Sequence, residues 1–218
     1  DADGPKALAG FGSAKGYNEG AYLFKKLIRT AFHSNNVDHC TRLCHASSVA
    51  ALMEGIGSGA VTAPFTAADD AECIIIIGAR PTQNHPVAAT YFKNAAKRGA
   101  KLVVMDPRGS NLERYAAHYL KFKSGQDVAM LNAMIHTIIE EGLTDEQYIQ
   151  AQVEGYEELK EKVKAFSPEK MAEVCGIPAE ELRAVARLYA GSQSSIIFWG
   201  MGVSQHVHGT DNARCLIS

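Results

Sequence analysis

The sequence holds a single tryptophan, seven prolines and no long run of like charge. Lys and Arg number 22 against 24 Asp and Glu, a formal charge of −2 with histidine neutral. Nothing basic therefore argues for nucleic acid or an anionic membrane surface as a partner. No apolar run approaches the roughly 20 residues that cross a bilayer. The longest, Cys73 to Ile77, fits a buried strand, so direct membrane insertion is not expected. Repeats and low-complexity stretches are absent and hydrophobic residues make up 46%, which excludes a disordered chain. With 218 residues there is room for one large domain, or for one and part of another.

Cysteine is also scarce. The five, Cys40, Cys44, Cys73, Cys175 and Cys215, are odd in number and contain no Cys-x-x-Cys pair. That spacing excludes a disulfide framework and a local zinc or iron–sulfur knuckle, and it favours a reducing compartment. The chain opens on Asp1 with neither an initiator methionine nor a signal peptide. It therefore reads as an excised piece of a longer protein. The prokaryotic cytoplasm is expected over the periplasm, although a targeting segment is not observable in such a piece.

What is present alternates strands with helices. Residues 6–11 read as a weak strand, 12–16 as a Gly/Ser turn, and about 19–32 as a helix capped by Asn18. Tyr22, Leu23, Leu27, Ile28 and Ala31 fall on its helical spacing. A strand feeding a helix through Gly and Ser is either a phosphate cradle or the ordinary corner of an α/β protein. A lone strand and helix make no core, so 1–34 is expected to belong to a split α/β domain completed outside this chain. Residues 35–218 are expected to form a second domain that is cut short at its C-terminus.

In that second domain the β-branched run Cys73–Ile77 predicts a central parallel strand covered on both faces. Pro86 opens a helix that Gly99 stops, and 102–105 form the next strand. A short helix near 111–117 and a strand over 119–122 follow. Val128, Leu131, Ile135 and Ile138 mark one stripe of a long helix, and Thr144 with Gln147 suggests a capping box. Helices over 157–165, 167–175 and 178–190 lead to a last strand, Ser195–Trp199, and a helix begins at Thr210. The fold expected is α/β: a doubly wound, mostly parallel sheet flanked by helices, a Rossmann-like αβα sandwich with a helical insertion between about 143 and 176.

Ligands of such sheets bind beyond the carboxyl ends of the strands. Four strand ends here carry polar segments: 78–86, 106–108, 123–127 and 200–206. Gly78 would let backbone approach a phosphate, Arg80 and Arg108 offer forks for pyrophosphate, and Asp106 or Asp127 could accept from a purine amine or a ribose hydroxyl. Each has a plainer reading: an Asp-Pro turn, a solvated arginine, an aspartate that caps its helix. Their convergence on one edge supports at least a nucleotide-binding α/β module.

The remaining stretch, 35–49, places Cys44 directly before His45 and just ahead of an apparent helix start that Ser47 or Ser48 would cap. Val49, Leu52 and Met53 would supply the apolar face of that helix. A thiol there is either a small buried hydrophobe or, in the positive potential of a helix N-terminus, a reactive thiolate. The run Asn-Asn-Val-Asp-x-Cys-x-Arg-x-Cys-His-x-x-Ser-Val resembles the active-site segment of molybdenum- or tungsten-dependent formate dehydrogenases. These are molybdopterin oxidoreductases of the dimethylsulfoxide-reductase type. The histidine is the discriminating residue, because related periplasmic nitrate reductases typically follow the cysteine with methionine.

The resemblance implies a bis-molybdopterin guanine dinucleotide cofactor carrying Mo or W, with Cys44 as metal ligand and His45 as the adjacent catalytic histidine. It extends along essentially the whole chain. It implies cofactor contacts at Gly78, Arg80, Asn84, His85, Asp106, Pro107, Arg108, Gly125 and Asp127. The segment with Gly200, Met201, Gly202 and Gln205 would run beside the pterin. Formate and CO2 would be substrate and product, with electron-transfer subunits as partners. A 4Fe-4S segment, the formate-orienting arginine and a second dinucleotide domain would lie outside residues 1–218, so this piece alone is expected to fold without catalysing. A nitrate reductase of the same superfamily is the competing expectation.

Overall fold

A computed structural model describes residues 3–218; Asp1 and Ala2, which begin the expected 1–34 segment, lie outside the described residues. The chain divides into two compact units, one ending at Ala46 and one beginning at Ser47.

The first unit is a strand–helix–strand. β1 (Gly10–Gly12) pairs in parallel with β2 (Val37–His39), Gly10 opposite Val37, and the helix Asn18–Thr30 connects them. The expected strand over 6–11 shrinks to β1, because Pro5 begins a 3-10 turn, Pro5–Ala7. Asn18 is the first helical residue, and Tyr17 occupies the cap position with no side-chain bond. The compact unit ends at Ala46 rather than at residue 34, since β2 joins the sheet. Ser34 Oγ, buried, donates to the Leu8 carbonyl at 2.8 Å and secures that return. Ile28 is the one buried residue of the connecting helix, while Phe11, Tyr22, Leu23 and Leu27 are exposed.

The second unit holds the larger sheet. β3 (Cys73–Ile77), β4 (Lys101–Met105), β5 (His118–Leu120) and β6 (Ser195–Trp199) are all parallel, in the order β5-β4-β3-β6. Strand side chains alternate between two cores. Cys73, Ile75, Ile77, Val103 and Met105 meet the helices Asp127–Glu140, Ala179–Gly191 and Gly209–Ile217. Ile74, Ile76, Leu102 and Val104 meet the helix Pro86–Arg98, led by Phe92. That two-sided burial is why β3 can be a continuous apolar run. Because β6 lies on the opposite side of β3 from β4, the chain reverses direction across the sheet between β3 and β6.

Several local expectations change. Residues 111–117 form only a 3-10 turn, Glu113–Tyr115, and 79–85 contain a helical turn, Pro81–Asn84, that Pro81 initiates. The helix Asp127–Glu140 buries Met130, Leu131, Ala133, Met134 and Thr137; of the expected stripe, only Leu131 is fully buried. Asp145, not Thr144, caps the following helix Glu146–Gln152, accepting from the Tyr148 N–H at 3.0 Å. The insertion is real: Glu146–Gln152, Tyr156–Val163 and Pro168–Cys175 are three short helices inside the β5–β6 crossover.

Candidate functional site

All four strands of the larger sheet end on one edge, and the chemistry there is built from the loops that leave it. At the reversal point, Gly78 adopts a left-handed φ of 58°. The Gly202 N–H donates to the Gly78 carbonyl at 2.9 Å, and the Gly200 N–H donates to the Ile77 carbonyl at 3.2 Å. A Cβ on Gly78 would lie 2.7 Å from the Val203 nitrogen, and one on Gly202 2.7 Å from the Gly78 Cα. These glycines therefore serve first to let two loops meet backbone to backbone. Gly78 and Gly202 spend their bare sides on each other.

One strand further out, the Arg80 Nε and Nη2 donate to the Gly109 carbonyl at 3.1 and 2.8 Å, which ties the β3 loop to the β4 loop. Asp106 is buried, and its Oδ1 accepts from the N–H groups of Arg108 and Gly109 at 2.8 and 3.1 Å. The Tyr119 hydroxyl donates to the Asp106 carbonyl at 2.9 Å. The Asp106-Pro107-Arg108 segment is thus a carboxylate-braced turn that leaves the Arg108 side chain exposed. Asn84 and His85 are exposed where the Pro81–Asn84 turn gives way to the helix Pro86–Arg98, and the His85 ring stands 6.1 Å from that of Phe65. Gly125 turns the chain with a φ of 80° just ahead of Asp127. Met201 belongs to the helical turn Met201–Ser204, and Gln205, exposed, closes it.

Asp127 is the anomaly. It is 1% exposed, yet neither carboxylate oxygen has a hydrogen-bond partner. Burial pushes its pKa above the ordinary aspartate range, against smaller opposing pulls from its own backbone N–H and from His206. A buried, unpaired acceptor pair at a strand-end edge fits a ligand that brings N–H or O–H donors. The raised pKa has a sign consequence. Below the unfolded carboxylate pKa near 3.9 both states are protonated. As pH rises through the raised folded value, the unfolded chain has already released its proton and the fold loses stability. Asp127→Asn removes that penalty, so the ligand-free variant is expected to resist urea better than the unsubstituted chain at pH 7. The gain should vanish below about pH 4, and equal urea midpoints at pH 7 would contradict it.

In the first unit, Cys44 is half-buried and ends the helical turn Thr41–Cys44, its N–H donating to the Cys40 carbonyl at 3.0 Å. The next helix, Ala46–Ile56, starts two residues later, with Ser47 and Ser48 inside its first turn rather than capping it. Cys44 therefore ends one helical turn and lies just ahead of the start of the next helix, as expected, but without a serine cap there. The His39 ring does the capping: its Nδ1 accepts from the Thr41 N–H at 3.2 Å and meets the Thr41 hydroxyl at 2.8 Å. Arg42 pairs with Asp38 at 2.8 Å across the turn and holds that carboxyl below its usual range. His45 follows, half-buried, and burial lowers its imidazole pKa. By contrast, Cys73 and Cys215 are pushed up to about 11 by burial, as expected of inert packing thiols.

Sequence reasoning missed the partners of Ser47 and Ser48. Within the second unit, Ser47 Oγ donates to the Ser204 carbonyl at 2.7 Å. Ser48 Oγ and Ser204 Oγ are 2.5 Å apart, and the Trp199 Nε1 donates to Ser48 Oγ at 2.9 Å. Serines near a helix start look like caps, and partners more than 150 residues away leave no local signal.

The chain belongs to the molybdopterin oxidoreductase family, whose sequence profile matches residues 1–218. Within it, the chain is 38% identical to formate dehydrogenase H of Escherichia coli over 99% of its own length and 30% of the relative's. It is 36% identical to F420-dependent formate dehydrogenase 1 subunit alpha of Methanococcus maripaludis, covering 96% of itself and 31% of that protein. The periplasmic nitrate reductase of Desulfovibrio desulfuricans is 34% identical over 96% of this chain and 29% of its own. The chain thus spans about a third of these relatives. Among solved structures, acetylene hydratase from Pelobacter acetylenicus superposes with a TM-score of 0.80 at 27% identity, over 98% of this chain and 29% of that one.

Proposed function

We propose that residues 1–218 supply the metal-binding thiol and one guanine-dinucleotide half-site of a molybdenum- or tungsten-dependent formate dehydrogenase. The observation that carries the proposal is the Cys44-His45 pair. A soft thiolate suits a sulfur-rich metal centre, and an imidazole beside it suits proton movement near neutral pH. The buried, unpaired carboxylate of Asp127 fits the purine end of the cofactor, where its two oxygens would accept from ring and amino N–H groups. Arg108 would pair with pyrophosphate from the β4 end, and Gln205 would meet the pterin.

When bound, the cofactor supplies a metal that takes up two electrons from formate. Beside it, His45 would accept a proton or polarise the substrate. The 4Fe-4S cluster and the electron-transfer subunits belong to parts outside this chain, and the cytoplasm is the proposed location. The nitrate reductase reading keeps a place because the Desulfovibrio desulfuricans relative is nearly as similar.

The deciding experiment uses full-length, cofactor-loaded protein and viologen dyes. Formate-dependent dye reduction without nitrate-dependent dye oxidation is expected, and the reverse would move the protein to the nitrate reductases. The isolated 1–218 chain is expected to show neither activity.

A further inference from the structure

The segment that leaves β6 toward the cofactor edge is poor in means of holding itself. Gly200 and Gly202 have no side chains, and the helical turn Met201–Ser204 is a single turn. Besides the backbone bonds of Gly200 and Gly202 to the β3 loop, polar groups from two neighbouring helices bond it. From the helix Ala46–Ile56, Ser48 (4% exposed) bonds both the Trp199 indole and the Ser204 hydroxyl, while Ser47 bonds the Ser204 carbonyl. From the helix Gly209–Ile217, Asn212 (2% exposed) donates through its Nδ2 to the Val203 carbonyl at 3.1 Å. Gly209 also sits against the Ser204 carbonyl so closely that no Cβ would fit. Hydroxyl and amide bonds fix direction as well as distance, which apolar packing of the same helices would not. All of these bonds act on residues 199–204, immediately ahead of Gln205.

We infer that Ser48, Trp199 and Ser204 form a positioning network that sets residues 201–205 against the cofactor, with Ser48 as its centre. The inference rests on the reading that this strand-end edge holds the dinucleotide. Ser48 touches neither substrate nor reacting atoms in it. It acts by orienting the backbone and Gln205.

Trp199 is the one tryptophan of residues 1–218 and its indole N–H donates to Ser48, so its share of the full-length protein's emission is the part that Trp199→Phe removes. The test compares Ser48→Ala, Trp199→Phe and Asp127→Ala in the full-length, cofactor-loaded protein, with whichever of formate or nitrate it turns over. Ser48→Ala is expected to shift the tryptophan emission and to retain the cofactor. It should lower kcat about ten- to a hundredfold, the scale expected of a displacement near 1 Å, with KM changed by less than about twofold. Trp199→Phe, which keeps a ring but loses the N–H, should reproduce the kcat effect and decides the matter if Ser48→Ala fails to fold. If kcat stays within about twofold in both variants although the emission shift in Ser48→Ala shows that the bond is broken, the network does not position the site. A kcat loss matched by an equal loss of bound cofactor would likewise reduce it to a structural role. Asp127→Ala separates the premise: if it sheds cofactor while Ser48→Ala leaves kcat intact, only the positioning claim falls. If Asp127→Ala keeps full cofactor content, the dinucleotide reading falls instead.

Discussion

Cys44→Ala in the full-length, cofactor-loaded protein is expected to lower formate turnover by more than about a hundredfold. Loss of an outer-shell partner of a metal typically costs up to that factor, and a direct ligand should exceed it. The spectrum of the metal centre should change with it. Cys44 is only half-buried, and its backbone N–H closes the Thr41–Cys44 turn. The alanine variant should therefore keep the fold, with far-UV circular dichroism and melting temperature close to those of the unsubstituted protein. Cys40→Ala is the control. It removes a half-buried thiol from the start of the same turn and should leave turnover intact. Unchanged turnover in Cys44→Ala would reduce the chain to a nucleotide-binding α/β module, whereas lost turnover with nucleotide binding retained supports a metal ligand.

The largest effect on stability is expected at the seam between the loops after β3 and β6. Gly78→Ala puts a side chain on a left-handed backbone, at roughly 1–2 kcal/mol. It also drives a methyl group to within 2.7 Å of the Val203 nitrogen and 2.8 Å of the Gly202 carbonyl carbon. Backbone cannot rotate away as a side chain can, so overpacking adds roughly 1–3 kcal/mol. The expected loss is about 2–5 kcal/mol, measured by urea unfolding followed through Trp199, which directly precedes the seam. Gly142→Ala isolates the conformational part, since Gly142 has a φ of 65° but nothing within 4 Å of its Cβ position. It should lose only the smaller amount. Equal losses at both positions would mean that the seam is loose.

How much of this was legible in the sequence depends on whether the cause was local. The β3 limits were readable because five consecutive apolar residues end at a glycine whose left-handed φ breaks the strand. Pro86 and Gly99 bounded their helix because one lacks an N–H and the other adopts a φ of 114°. β2 was not readable: Val37-Asp38-His39 is short and polar, and it becomes a strand only by pairing with β1. At the site, residue types were visible but their partners were not. Arg80 reads as a phosphate fork, and the structure adds its bond to the Gly109 carbonyl; Asp106 reads as a ligand acceptor, and the structure adds that it braces its own turn. Asp127 is the reverse case. A helix-capping reading is available from sequence, and only the structure shows that the carboxylate is buried without a hydrogen-bond partner.

The strand order has a consequence for how the chain is made. β3 pairs on one side with β4, which follows within 30 residues, but on the other with β6, Cys73 lying opposite Ser195, 122 residues later. At ribosomal elongation rates, that leaves the isoleucine-rich flank of β3 unpaired for roughly 6–25 s. During synthesis the nascent polypeptide therefore displays an open strand edge until β6 emerges to cover it.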